Sequence, residues 1–147
     1  TMNTTELNEL DAFVRGYLEA VLWTETADNG DEIGDYLDVD FTINDFDLWS
    51  VIYASSEAVD FLDKAGALLD SAAQRGEYAE RTGQGNDRRE FFSMAGHDFL
   101  LTRNGHGVGF WDRGLGAVGD MLTEIAQSYG SVHAYVRDED TVAIDAA

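Results

Sequence analysis

Leu7, Leu10, Phe13, Val14, Tyr17, Leu18, Val21 and Leu22 recur at three- and four-residue intervals, the spacing of a helix that buries one face. Asn3, followed three residues later by Glu6, has the form of a capping box. An amphipathic helix is therefore predicted over about residues 4 to 24. A second apolar series, Leu48, Val51, Ile52, Val59, Leu62, Leu69 and Ala73, runs toward Gly76. Asn44 or Asp45 is available as its cap, and Ser55 and Ser56 mark a place where it can break. "DRREFFSMAG" reads as a short helix stopped by Gly96, and Leu115, Val118, Met121, Leu122, Ile125, Ala126 and Tyr129 as another stopped by Gly130. Between these, the Gly- and Asp-rich "ADNGDEIGDYLDVDFTIND" predicts a loop or short extended segment, and "GEYAERTGQGND" a mobile connection.

The pattern changes around residue 100. "HDFLLTR" and "VGFWDR" are rich in aromatic and branched residues, and Asn104-Gly105 between them is a strong two-residue hairpin signal. Such a hairpin places Phe99, Leu101 and Arg103 on one face with His106, Val108, Phe110 and Asp112. Gly107 and Gly109 thin the other face beside Leu100 and Trp111. "SVHAYVRDEDTVAIDA" predicts a second hairpin. The expected architecture is one α+β domain over residues 1–147: N-terminal amphipathic helices, then a β-β-α-β-β unit whose antiparallel sheet carries helices on one face.

Charge adds a constraint that periodicity does not contain. There are 29 acids against 9 bases, a net charge of -20. Self-repulsion at that level disfavours nucleic acid, anionic membranes and acidic partners and favours basic ones. The excess is concentrated: 13 acids and no Lys or Arg lie between Gly16 and Asp63. There are no cysteines, which excludes disulfides and thiolate metal sites. With no apolar run of membrane-spanning length and no basic and apolar leader pattern in "TMNTTELNEL", a soluble cytoplasmic protein of the host cell is expected.

The chemistry-bearing residues cluster in "LLTRNGHGVGFWDRG". Arg103, His106, Trp111, Asp112 and Arg113 form an alternative ligand site, because Arg grips anions bidentately and His titrates near neutrality. In a hairpin, however, Arg103 and His106 lie at the turn and Asp112 and Arg113 at the far end, over ~10 Å away at about 3.3 Å per residue. His97, His106 and His133 lack metal-ligand spacing, and "GHGVG" is not a phosphate-binding loop between strand and helix. The aspartates of "DNGDEIGDYLDVD" fail the EF-hand pattern from either Asp28 or Asp38, leaving only an irregular calcium site open. No catalytic residues, metal site or cofactor are assigned.

"GHDFLLTRNGHGVGFWDRG", with "LT" and "YG" in the next helix and "YVRDEDTVAI" after it, resembles a family of small phage- and plasmid-encoded proteins of unknown function whose shared signature is close to "DFWLTRNGHGAGFWDRG". The resemblance covers roughly residues 96 to 145 and extends weakly to "FVRGYLEAVLW". Leu100 stands where the signature has an aromatic residue, and Val108 where it has a smaller one. The resemblance implies a mobile-element origin and a common fold. It carries no catalytic assignment.

The acidity has two explanations. Salt adaptation spreads acids over the whole surface, whereas nucleic-acid mimicry concentrates them on one face. The uneven distribution favours mimicry. The expected partner is a basic, nucleic-acid-binding host protein, such as a restriction or CRISPR-type defence complex, and direct binding of nucleic acid or membrane is not expected. The partner-binding residues are expected to be Asp28, Asp31, Glu32, Asp35, Asp38, Asp40, Asp45, Asp47, Glu57, Asp60 and Asp63. Asp38 with Asp40 and Asp45 with Asp47 stand about 6 to 7 Å apart if extended. Glu57, Asp60 and Asp63 recur at helical spacing on the face opposite Val59 and Leu62. A binding protein is expected rather than an enzyme. Two alternatives stay open: a small ligand-binding or enzymatic domain using the Arg103 and His106 end of the hairpin, and an acidic salt-adapted interaction module.

Overall fold

A computed structural model describes residues 2–28, 32–81 and 88–145. Among them the order is α1 (Thr4–Thr24), α2 (Leu48–Ala72), α3 (Gly76–Arg81), α4 (Arg88–Arg103) and α5 (Ala117–Gln127), followed by β1 (His133–Asp138) and β2 (Thr141–Asp145). The fold is α+β and mostly helical, with a two-stranded antiparallel sheet near the C-terminus. No helix among the described residues is long and apolar enough to cross a membrane.

Helix α1 begins where its sequence predicts, with the Asn3 side chain accepting the Glu6 N–H at 2.9 Å. It packs most closely against α4, and two glycines make that approach possible. A Cβ on Gly16 would stand 1.9 Å from the Ser93 carbonyl oxygen, and one on Gly96 2.0 Å from that of Phe13. Gly96 therefore does not stop a helix. It lies in the middle of α4, because close packing with α1 offsets the propensity cost of about 1 kcal/mol for an interior glycine. Phe13, Phe61, Phe99 and Phe110, all fully buried, meet at the centre, with the Phe61 and Phe99 rings 4.6 Å apart and those of Phe61 and Phe110 5.9 Å apart.

The first expected hairpin does not form. "HDFLLTR" is the last part of α4, and Asn104-Gly105 closes that helix instead of turning a strand. Gly105 has φ +74°, and the His106 N–H donates to the Leu101 carbonyl at 2.9 Å and the Gly105 N–H to the Thr102 carbonyl at 3.1 Å. These two bonds define a Schellman cap. The left-handed glycine that a tight hairpin requires is the same one that a helix C-terminus uses, so the dipeptide alone does not separate them. Phe110–Asp112 then forms one 3₁₀ turn rather than a strand. As a result Phe99 and Arg103 share a helix face, and Leu101 is not on it. The expected β-β-α-β-β unit reduces to α5 and the second hairpin.

Other boundaries shift for local reasons. Helix α2 is capped by Asp47, not Asn44 or Asp45, with the Ser50 N–H donating to Asp47 Oδ1 at 2.8 Å. It continues through Ser55 and Ser56 without a break. Part of the expected connection after Gly76 is the short helix α3, and residues 82–87 lie outside the described residues. The described parts of the acidic stretch, 25–28 and 32–46, are irregular as expected, with a Thr26–Tyr36 bridge and 3₁₀ turns at Leu37–Val39 and Ile43–Asp45, and residues 29–31 lie outside the described residues.

The hairpin β1–β2 pairs His133 with Asp145 through Asp138 with Thr141, with an irregularity after Val136. It docks on the start of α2. The Ile144 N–H donates to Ser50 Oγ at 2.7 Å, the Asp47 N–H to the Val142 carbonyl at 3.0 Å, and Arg137 Nη1 to Asp47 Oδ2 at 2.7 Å.

Asp47 thus joins a helix cap to a strand. Hydrogen bonding from Ser50, helped by the Arg137 charge, outweighs burial and holds its carboxyl below the usual range. A depressed folded-state value gives stability that is present above the unfolded value near ~3.9 and is lost as pH falls through the folded one. Asp47→Ala is expected to cost about 1 kcal/mol at neutral pH, the usual loss of a cap. Thermal melts of both proteins from pH 7 to 2.5 check this, with a gap that holds down to about pH 4 and narrows below it.

Candidate interaction surface

The arginines of the signature segment are engaged inside the molecule. Arg103, with its side chain 1% exposed, ends α4 and reaches three other helices or their ends. Nη1 donates to Glu57 Oε1 on α2 at 2.6 Å and to the Tyr17 hydroxyl on α1 at 3.1 Å. Nε donates to the Gly130 carbonyl at 2.7 Å and Nη2 to that of Tyr129 at 3.1 Å, placing a cation at the C-terminal end of α5 where the helix dipole favours one. Glu57 also accepts from the Tyr17 and Tyr53 hydroxyls. The guanidinium lies 5.2 Å from the Phe99 ring centre. Burial opposes the charge on Arg103, but the Glu57 hydrogen bond and neighbouring charges raise its pKa above the ordinary value. Burial raises that of Tyr17, with Arg103 opposing and Glu57 adding to the shift.

Arg113 forms a second network. Its guanidinium grips the fully buried Asp98 of α4 through Nη2 to Oδ1 at 2.9 Å and Nε to Oδ2 at 3.1 Å, and Nη1 reaches Glu77 of α3 at 2.7 Å. The Tyr78 hydroxyl donates to the same Asp98 carboxylate. The Arg113 carbonyl accepts the Glu77 N–H at 2.9 Å, so the loop after α4 and helix α3 hold each other. Asp98 serves as the anchor that the sequence did not single out. Its signal was a carboxylate five residues before Arg103 on an otherwise apolar stretch.

The alternative ligand site therefore does not assemble. Arg103 and Arg113 belong to separate internal networks, while Trp111 and Asp112 are exposed and His106 is half-buried. Asn104 is likewise structural, its amide donating to the Val132 carbonyl and its oxygen accepting the Val132 N–H, both at 2.8 Å.

The expected partner-binding acids divide into four kinds. Asp28, Glu32, Asp35, Asp38 and Asp40 are exposed on the loop between α1 and α2, and Asp31 lies outside the described residues. Asp45 and Asp47 are helix-capping groups, bonded to Thr42 and Ser50 respectively. Glu57 faces inward to Arg103. Asp60 and Asp63 are exposed on α2, but they line a groove together with Val59 and Leu62 rather than facing away from them. Asp60 accepts from the Tyr129 hydroxyl and pairs with Lys64 at 2.9 Å, bonds that lower its pKa.

Most cations at the surface are paired with carboxylates. Seven of the nine basic side chains lie within ion-pair distance of an acid among the described residues. The carboxylates border two concave regions. Near the end of α1, Trp23 is 51% exposed and forms the ridge between a hollow shared with Glu19, Asp38, Phe41 and His97 and another shared with Tyr36, His106 and Val108. Near its start, Glu6, Glu9 and Leu10 face Asp60, Leu62, Asp63 and Asp70 of α2 and Arg88 and Phe92 of α4 across a groove. Glu9 and Glu19 are ten residues apart, about 15 Å along the helix, so the two acidic regions are distinct. Trp23, Glu9 and Asp70 were not singled out in the sequence, and Glu6 was read only as part of the cap of α1.

Comparison of the chain with protein-family models, with curated proteins and with solved structures finds no match.

Removing one member of the Arg103–Glu57 pair leaves a buried charge uncompensated. Arg103→Met or Glu57→Gln alone is expected to lower stability by about 3–5 kcal/mol. The double variant should recover part of that loss, a coupling that urea denaturation of the four proteins in the cycle measures.

Proposed function

We propose that this chain is a binding protein of a mobile element that inhibits a basic, nucleic-acid-binding host protein, such as a defence complex, by occupying its nucleic-acid groove with carboxylates. The observation that carries this reading is the exposed acidic loop beside Trp23, in a protein whose cations are largely engaged in internal or local ion pairs. A basic groove is attracted by collective charge, which raises association rates and is screened by salt. Trp23 supplies the kind of aromatic anchor on which binding energy concentrates. The resemblance to phage- and plasmid-encoded proteins supports a host protein as the target.

The test is capture by the immobilised protein from a lysate of the source cell, with elution by salt and by duplex DNA. Captured proteins should be nucleic-acid-binding, and duplex DNA should release them. Converting Asp28, Glu32, Asp35, Asp38 and Asp40 to their amides should abolish capture and flatten its salt dependence, while the same change at Glu80, Asp120, Glu124, Glu139 and Asp140 should matter less. Trp23→Ala should cost at least about 2 kcal/mol of binding. Capture indifferent to DNA, or equal losses from the two acid sets, would reject mimicry by this surface.

A further inference from the structure

The groove at the start of α1 has a composition unlike the acidic loop. It encloses about 640 Å³, within the size range of sites that bury a ligand. Its floor is apolar, with Leu10, Leu62 and Phe92, and its rim carries Glu6, Asp63 and Asp70. Arg88 is the one cation among its described lining residues, and it is held by Glu9 at 2.8 Å and Asp70 at 3.6 Å.

Gly66 gives a second, independent indication. It sits in the interior of α2, where glycine costs about 1 kcal/mol relative to alanine, and it lines the groove. Gly16 and Gly96 have a packing reason for lacking a side chain, since a Cβ on either would collide with backbone. A Cβ on Gly66 would meet nothing among the described residues within 4 Å. The intramolecular packing described here does not require this gap, whereas close approach of another backbone over α2 would.

We propose that the groove seats an amphipathic helix of the partner, its apolar face on Leu10, Leu62 and Phe92, its backbone crossing over Gly66, and its Lys or Arg side chains against Glu6, Asp63 and Asp70. The proposal rests on the reading that the partner is basic. A helix laid in a groove places apolar residues three and four apart on the floor and leaves its flanks to the rim. Five carboxylates, Glu6, Glu9, Asp60, Asp63 and Asp70, stand against the one cation Arg88 among the described lining residues, an excess that favours cationic flanks. They disfavour a second copy of this chain, which would bring its own charge of -20.

Fluorescence anisotropy with a labelled synthetic Leu/Lys peptide of helical period tests this, against a peptide of the same composition in strict alternation. Gly66→Leu fills the groove without changing charge, and Gly66→Ala controls for helix propensity. The helical peptide should bind more tightly than the alternating one, and Gly66→Leu should weaken it about tenfold or more. Gly66→Ala should raise the melting temperature and yet weaken the helical peptide, by less than Gly66→Leu, because its Cβ occupies the space the crossing backbone needs. Converting the five loop acids to amides should change peptide affinity much less than Gly66→Leu. Equal binding of the two peptides, or unaltered binding to Gly66→Leu, overturns the groove proposal even if DNA-competed capture by the loop succeeds. Groove-dependent binding of the helical peptide, with capture indifferent to DNA, upholds the groove and rejects mimicry.

Discussion

The Arg103–Glu57 ion pair is the contact on which the helix assembly depends. An arginine whose side chain is almost wholly out of water is tolerated only when its donors are matched, and here Glu57, Tyr17 and the carbonyls of Tyr129 and Gly130 match them. Those partners come from α1, α2 and the segment closing α5. Satisfying one guanidinium therefore fixes the relative positions of four helices. Asp98 and Arg113 repeat the arrangement at the other side of α4, adding α3 and the long loop. Apolar packing supplies the driving force, and the two polar networks restrict which packing is accepted.

The same networks decide which carboxylates face solvent, while the excess of 29 acids over 9 bases sets the sign of the surface. An internal arginine removes one carboxylate from solvent together with its own positive charge, so the pair is silent outside. Glu57, which belongs by sequence to the acidic third, is neutralised in this way. Asp47 is half withdrawn by its cap and by Arg137. The acids left outside include Asp28, Glu32, Asp35, Asp38 and Asp40 of the loop, and those on the rim of the groove. Concentration of acids along the chain thus becomes two separate surface regions, because α1 carries its two ends to different neighbours.

Much of the helical framework was legible. The period of α1, its Asn3 cap and the apolar series of α2 and α5 were strong local signals, and the terminal hairpin alternated as strands do. The failures have specific physical causes. "HDFLLTR" has the composition of a strand, yet Phe99 and Arg103 need helical spacing to meet Phe61 and Glu57, and tertiary packing overrides propensity. Gly96 resembled a stop because its role, contact with Phe13, is made with a residue far away in the chain. The candidate site was less legible still. Exposed loop acids could be counted, but the pairing of Glu57 with Arg103, the groove lined by Asp63 and the ridge formed by Trp23 exist only after distant helices have come together.

Asn104 shows how far one side chain can depend on that assembly. In a two-residue hairpin turn, Asn-Gly and Asp-Gly serve nearly alike, since either tolerates the left-handed conformation. Here the Asn104 amide must give a proton to the Val132 carbonyl while its oxygen receives one from the Val132 N–H. An ionised carboxylate has no proton to give. It would oppose the carbonyl with like charge and loosen the join between the end of α4 and the approach to β1. Putting a carboxylate in place of that amide, as Asn104→Asp does, would therefore loosen the helices' link to the hairpin without altering the sequence of either element.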